Sequence, residues 1–268
     1  MLMKCLRIFL SIARSKSSSL SGLAVGGAVG ATVAKGATVA VGTDGVGSKL
    51  ILAEQTGRYD TVGIDCVAMN VNDLVCVGAE PIAMLDYLAV EQADPDALAR
   101  IGVGLKVGAQ AANVEIPGGE LAVLPELIRG HPSPHGFDLC GTAFGTVALD
   151  AIVTGAGARP GDAIVGLPSS GLHSNGYTLA RRALFDEGGL SLDDRPAVLD
   201  GRSVADALLE PTVIYVRAVL DLLRSDIGVH GLAHITGGGL QNLLRLGGEG
   251  DRILTQPREL LGQCPVLA

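Results

Sequence analysis

From residue 37 onward, short apolar runs of strand type alternate with segments of helical period, and this alternation restricts the chain to an α/β architecture (α+β in detail). ATVAVG (37–42), KLILA (49–53) and DTVGID (60–65) read as strands, and CVAMNVNDLVCVG (66–78) as a helix stopped at Gly78. EPIAMLDYLAVE (80–91) is another β-type run. PDALARIGVGLKVGAQAAN (95–113) is a helix with Pro95 near its start, and FDLCGTAFGTVALD (137–150) is a further strand. The turn GARPGD (157–162), rich in Pro and Gly, marks a boundary, so two domains are expected, 37–154 and 155–268. Beyond it AIVGLPSS (163–170) and LAHI (232–235) are strand-like, while NGYTLARRALFDEG (175–188) and PTVIYVRAVLDLL (211–223) are helical. TGGGLQNLLRL (236–246) turns from strand to helix through glycines.

With 48% apolar residues in a chain of 268, a real core can be buried. The net charge of −8 supplies no basic field for a nucleic-acid backbone, so any nucleotide is held locally, by loops, lysines or metal ions. Cys5, Cys66, Cys76, Cys140 and Cys264 are scattered without a C-x-x-C pair, which argues against a zinc site or a disulfide frame. No apolar run is long enough to span a membrane. The first 36 residues differ from the rest: they carry Lys4, Arg7, Arg14 and Lys16, a serine cluster and no acid. They read as a leader, flexible or targeting. The expected compartment is the cytoplasm, or an organelle if residues 1–20 are a transit peptide.

VGTDGVGSKL (41–50) looks like a phosphate loop with the wrong order, because Ser48 precedes Lys49 and Asp44 stands in its middle. A carboxylate repels phosphate unless a cation lies between them. Asp44 therefore fits a nucleotide that arrives as a magnesium complex, with Lys49 and the amides of Gly45, Gly47 and Ser48 on its phosphate oxygens. Asp65, Asn72, Asp73 and Asp86 add the hard oxygen ligands that Mg²⁺ prefers. Three more glycine-rich segments fit phosphate handling: PGGE (117–120) with Glu120, SSGLHSNGY (169–177) with His173, Ser174 and Asn175, and TGGG (236–239).

Through GTDGVGSKL (42–50), TVGIDCVAMNVNDLVCVGAEPIAMLDYLAV (61–90), GGE (118–120), PSSGLHSNGY (168–177), LLEPTVIYV (208–216) and AHITGGGL (233–240), the chain resembles the phosphoribosylformylglycinamidine cyclo-ligases, also called aminoimidazole ribonucleotide synthetases. The resemblance implies ATP-dependent closure of formylglycinamidine ribonucleotide to the imidazole in purine biosynthesis. It also implies a homodimer whose N-terminal sheets pair into a barrel. It makes Lys49 and His173 catalytic candidates, and Asp44, Asp65 and Asp73 metal ligands. Asn72 and Glu120 would join the nucleotide group, and Ser174, Asn175, Thr236, Gly237 and Gly238 would contact substrate or phosphate. Two further readings stand beside it: a related small-molecule kinase such as thiamine-monophosphate kinase or selenophosphate synthetase, and a non-catalytic dimerising module. The basic leader, Leu121 after the GGE, and an end at Ala268 depart from the family pattern. They predict a truncated C-terminal domain and impaired activity.

Overall fold

The computed structural model describes residues 6–12, 31–34, 36–159 and 161–246. In chain order its strands are β1 (Leu6–Ile12), β2 (Ala31–Ala34), β3 (Ala37–Gly45), β4 (Glu80–Val90), β5 (Glu115–Val123), β6 (Phe137–Ala148), β7 (Ala163–Pro168) and β8 (Val229–His234). The helices are α1 (Leu50–Thr56), α2 (Val62–Cys76), α3 (Pro95–Ala112), α4 (Tyr177–Arg181), α5 (Val204–Leu208) and α6 (Val216–Leu223). The first half is a mixed sheet in the order β2-β3-β6-β4-β5, in which, among the described strands, only β4 and β5 run parallel. The crossover between these parallel strands is α3, started by the Asp94 side chain, which accepts from the amides of Asp96 and Ala97. The second half holds an antiparallel sheet, β7-β1-β8.

The axis of the molecule is α2. Its residues are buried almost without interruption from Val62 to Val75, so it needs cover on every side. The sheet lies on one side, α3 on another, and β8 and α6 of the second half close the flank. Glycines set the spacing to α3. A Cβ on Gly63 would stand 2.3 Å from the Leu105 amide nitrogen, and one on Gly104 2.3 Å from the Asp60 carbonyl. One apolar core runs through both halves, from Val71 and Leu74 to Leu208 and Tyr215.

Several local expectations change. KLILA is helical: Gly47–Lys49 forms a 3-10 turn and α1 follows, closed by Gly57 at φ 63°. A short apolar run fits either period, and burial of the consecutive Leu52, Ala53 and Glu54 together with Leu50 covers more than one side of the helix. DTVGID supplies the first turns of α2 rather than a strand, because Gly63 must face α3. The GGE segment is part of strand β5. The expected helix at 175–188 is α4 followed by a π-helix, Arg182–Glu187. TGGGLQNLLRL continues as a 3-10 helix, Gly239–Arg245. Within the leader, Leu6–Ile12 is the middle strand of the second sheet rather than loop, and the remainder up to residue 30 lies outside the described residues.

The helix expected over 211–223 begins only at Val216, and its missing turns explain how the halves are joined. Lys49 Nζ lies 2.8 Å from Asp65 Oδ2 and donates to the Glu210 carbonyl at 2.7 Å, with both charged side chains fully buried. Asp65 Oδ1 accepts from the Thr212 amide at 2.8 Å and the Thr212 hydroxyl at 2.6 Å. Two turns along α2, Asn72 donates to the Val213 carbonyl at 2.8 Å and accepts from the Tyr215 amide at 2.9 Å. The backbone of 210–215 is thus bonded to side chains of α2 and cannot coil. Replacing one partner of the ion pair leaves the other charge buried alone. Asp65→Asn or Lys49→Met is therefore expected to cost about 3–5 kcal/mol in urea unfolding, and Lys49→Met with Asp65→Leu much less than the sum. Single variants as stable as the parent would contradict this.

Candidate active site

The GTDG loop ends β3, and its carboxylate is placed by residues on α2 and β6. Asn70, almost fully buried on α2, accepts from the Asp44 amide at 3.0 Å and donates to the Asp44 carbonyl at 3.1 Å and to the Cys66 carbonyl at 2.8 Å. The Asn70 amide fits there because its neighbour on β6 is Gly141, where a Cβ would stand 3.0 Å from Asn70 Nδ2. In register, Gly141 is flanked by Asp44 on β3 and Asp86 on β4, and Asp86 is flanked by Gly119 on β5. Residues in one row of a sheet share a face, so Asp44 and Asp86 lie on the same face, about 10 Å apart at Cα, with the Met84 methyl and the Asn70 amide over the glycine between them. Burial pushes both carboxyls above the usual carboxylate range. For Asp44 the Gly45 amide and His234 oppose that rise and Asp73 adds to it.

The second half supplies the opposite wall. In SSGLHSNGY, His173 takes a left-handed backbone at φ 58° and is buried, and its Nε2 accepts from the amides of Ser170 at 3.2 Å and Val213 at 3.4 Å. Ser174 Oγ lies 3.4 Å from Thr212 Oγ1, and Ser48 Oγ lies 3.3 Å from Thr178 Oγ1. The amide nitrogen of Asn175 reaches Met69 of α2 at 3.7 Å. The TGGG turn faces the same place: a Cβ on Gly237 would stand 3.7 Å from Asn175 Oδ1. The Thr236 amide donates to Asn242 Oδ1 at 3.0 Å, and a Cβ on Gly238 would meet the same side chain. At the end of β8, His234 Nδ1 is 2.7 Å from Asp73 Oδ1.

The crevice is therefore bordered by Asp44 and Asp73 from one half and by Ser174, Asn175, His234 and Thr236–Gly238 from the other, with Gly45, Gly47 and Ser48 following Asp44 in its loop, while the Asp86 carboxyl lies over Gly119 on the β5 side. It does not gather all the expected residues. Lys49 and Asp65 neutralise each other inside the protein, and Asn72 and His173 are hydrogen-bonded to the 210–215 segment, so these four build the frame. Glu120 lies on β5, three strand spacings or about 14 Å from the strand of Asp44. It lines an open cleft of about 510 Å³ with Asp86, Tyr87 and Cys140. Sequence reading missed Asn70. Its signal was an amide alone in an apolar helical run, where burial demands partners.

Among the described residues, no group of three or more His, Cys, Asp or Glu side chains is arranged to hold a metal ion. The trio Asp44, Asp65, Asp73 is thus reduced to two carboxylates, with Asp86 across the glycine row. That set fits Mg²⁺ carried in with phosphates, since Mg²⁺ is usually held by one or two carboxylates plus phosphate and water. The raised carboxyl of Asp44 has a consequence for stability. Its ionised form is disfavoured by folding, a cost present above its folded-state value and absent below the ordinary carboxylate range. Asp44→Asn, which keeps an acceptor for Gly45, is expected to raise the melting temperature at neutral pH. The gain should disappear in acid, and magnesium-dependent nucleotide binding should fall. A lower melting temperature at neutral pH would contradict the assignment.

Among the described residues no helix is long and apolar enough to cross a membrane. A family model described as AIR synthase related protein, N-terminal domain, matches residues 26–147, and the model of the C-terminal domain matches residues 159–246. The phosphoribosylformylglycinamidine cyclo-ligase of Methanothermobacter thermautotrophicus is 55% identical over 208 residues, covering 78% of this chain and 60% of its own length. That of Thermococcus kodakarensis is 52% identical over 221 residues, 82% of this chain and 63% of its own. The chain thus spans about three-fifths of the length of these curated relatives. Among solved structures, thiamine-monophosphate kinase from Stenotrophomonas maltophilia K279a shares the fold, with a TM-score of 0.52 at 24% identity over 74% of this chain and 55% of that one. Both domain models match in order, one on each side of the crevice, and the chain belongs to the AIR synthase related family.

Proposed function

We propose that the chain catalyses the ATP-dependent closure of formylglycinamidine ribonucleotide to aminoimidazole ribonucleotide, as a cytoplasmic homodimer. The observation that carries this reading is the identity, at about half of all positions, to relatives named as that cyclo-ligase, along segments that form both walls of the crevice. The chemistry requires such a crevice. An amide oxygen is a poor leaving group until ATP phosphorylates it, after which the amidine-side nitrogen can attack the activated carbon and expel phosphate. Catalysis of that transfer is mostly positioning and charge neutralisation.

In this reading Asp44 and Asp73 face the nucleotide through Mg²⁺, which would supply charge neutralisation on the transferring phosphoryl group. The rim residues Gly45, Gly47 and Ser48 border its phosphates. Ser174, Asn175 and the turn Thr236–Gly238 take the ribonucleotide phosphate, because amides without side chains allow close approach of an anion. Lys49 and His173 act indirectly, by holding α2 and the SSGLHSNGY turn in register. Support for the homodimer comes from the sheet, where Ile82, Leu85 and Tyr87 of β4 stand between 39% and 48% exposed, with Glu120 paired to Tyr87 across the strands. A second copy would cover that apolar surface, and Glu120 lies beside it.

The test is ADP release from Mg·ATP with formylglycinamidine ribonucleotide, thiamine monophosphate or selenide as acceptor. ADP is expected only with the ribonucleotide, and none after EDTA. Release driven by thiamine monophosphate or selenide would assign a kinase-type relative instead. Nucleotide binding without turnover on any acceptor would leave a dimerising module.

A further inference from the structure

A contact between Asp73 and His234 joins the two walls of the crevice directly, and the chemistry of phosphoryl transfer assigns the imidazole no role. Asp73 belongs to α2 of the first half, and its side chain is 44% exposed, while that of His234, at the end of β8 in the second half, is only 3% exposed. The separation of 2.7 Å between Asp73 Oδ1 and His234 Nδ1 is a short, charge-assisted contact, with the imidazole N–H donating to the carboxylate. The Cys76 thiol, one turn along α2, donates to the Asn72 carbonyl at 3.3 Å, and α2 as a whole packs against β8.

The segment after His234 gives the contact its meaning. The chain passes through Ile235 directly into the TGGG turn, which is tied internally by Asn242 and otherwise faces Asn175. Ile235 is itself buried against Ala233 and Leu243, and the Asp73–His234 contact is a side-chain tie between this segment and the carboxylates of the first half. On the other side, Asp73 and His234 both act electrostatically on Asp44. The imidazole thus occupies one oxygen of Asp73 and leaves the exposed remainder of the carboxylate toward the crevice.

We propose that His234 is a positioning residue: by donating to Asp73 it orients that carboxylate for the nucleotide complex and locks the TGGG turn at a fixed distance from it. This rests on the proposed function for its nucleotide and phosphate ligands, but the contact itself does not. Binding on the carboxylate side and order on the phosphate side are then coupled through one hydrogen bond. Loss of the donor should loosen both.

The test uses the full chain with His234→Phe, which keeps the ring and removes the donor, and His234→Asn, whose amide nitrogen stands near the place of Nδ1. Two readouts are taken: calorimetric binding of Mg·ATP, and hydrogen exchange of residues 235–242 without ligand. His234→Phe should weaken Mg·ATP binding by roughly tenfold, the usual effect of losing one hydrogen bond to a charged group. It should also speed exchange in the turn while α2 stays protected. His234→Asn should restore both to within about threefold of the parent. A His234→Phe variant that is folded, with the turn protected as in the parent, would overturn the proposal, as would an Asn variant no better than Phe. If the parent binds no Mg·ATP, the functional reading fails, and the exchange data still decide the role of His234.

Discussion

A buried lysine and a buried aspartate hold this molecule in its shape. Two charges removed from water are tolerated only when each finds a partner and the remaining acceptors are satisfied. Lys49 and Asp65 meet that demand by drawing in the Glu210 carbonyl and the amide and hydroxyl of Thr212. Three segments distant in sequence are thereby fixed at one point: the end of the glycine loop, the start of α2, and the connection before α6. Asn72 repeats the device further along α2. The crevice between the two halves exists because these polar side chains hold its floor together.

The same economy appears in the wall that carries the carboxylates. Asn70 grips both backbone groups of Asp44 because Gly141 leaves room for it, and Gly141 separates Asp44 from Asp86 in a single row of the sheet. Burial raises both carboxyls, so ionising them in the crevice is electrostatically costly. A cation arriving with phosphates relieves that cost, which links the placement of charge to ligand choice. The opposite wall is made of turns, with the left-handed His173 and the glycines after Thr236 exposing backbone rather than side chains.

Much of this was legible in the sequence. The α/β alternation, α3 with its proline start, and strands β4 and β6 followed from period and turn chemistry. The glycine segments and the acids Asp44 and Asp73 read as site candidates from residue type alone, and the structure brings Asp44 and Asp73 close to His234. What failed was local in form and tertiary in cause. KLILA became a helix because its surroundings bury consecutive residues, Leu52 to Glu54, and a short apolar run satisfies either period equally. The residues 211–215 stayed out of the helix because Asp65 and Asn72, more than a hundred positions earlier, claim their backbone groups. Lys49 looked like a phosphate ligand because its partner Asp65 is invisible at that range. Asn70 was overlooked for the same reason, since its value lies in the glycine it faces on β6.

The central claim is that Lys49 belongs to the frame while Asp44 and Asp73 face the nucleotide. The most direct measurement is a crystal structure of the chain with Mg²⁺ and a non-hydrolysable ATP analogue. Phosphates are expected beside Asp44 and Asp73, with Lys49 still paired to Asp65 and bonded to the Glu210 carbonyl. A Lys49 side chain that has left Asp65 to contact the phosphates would contradict the claim.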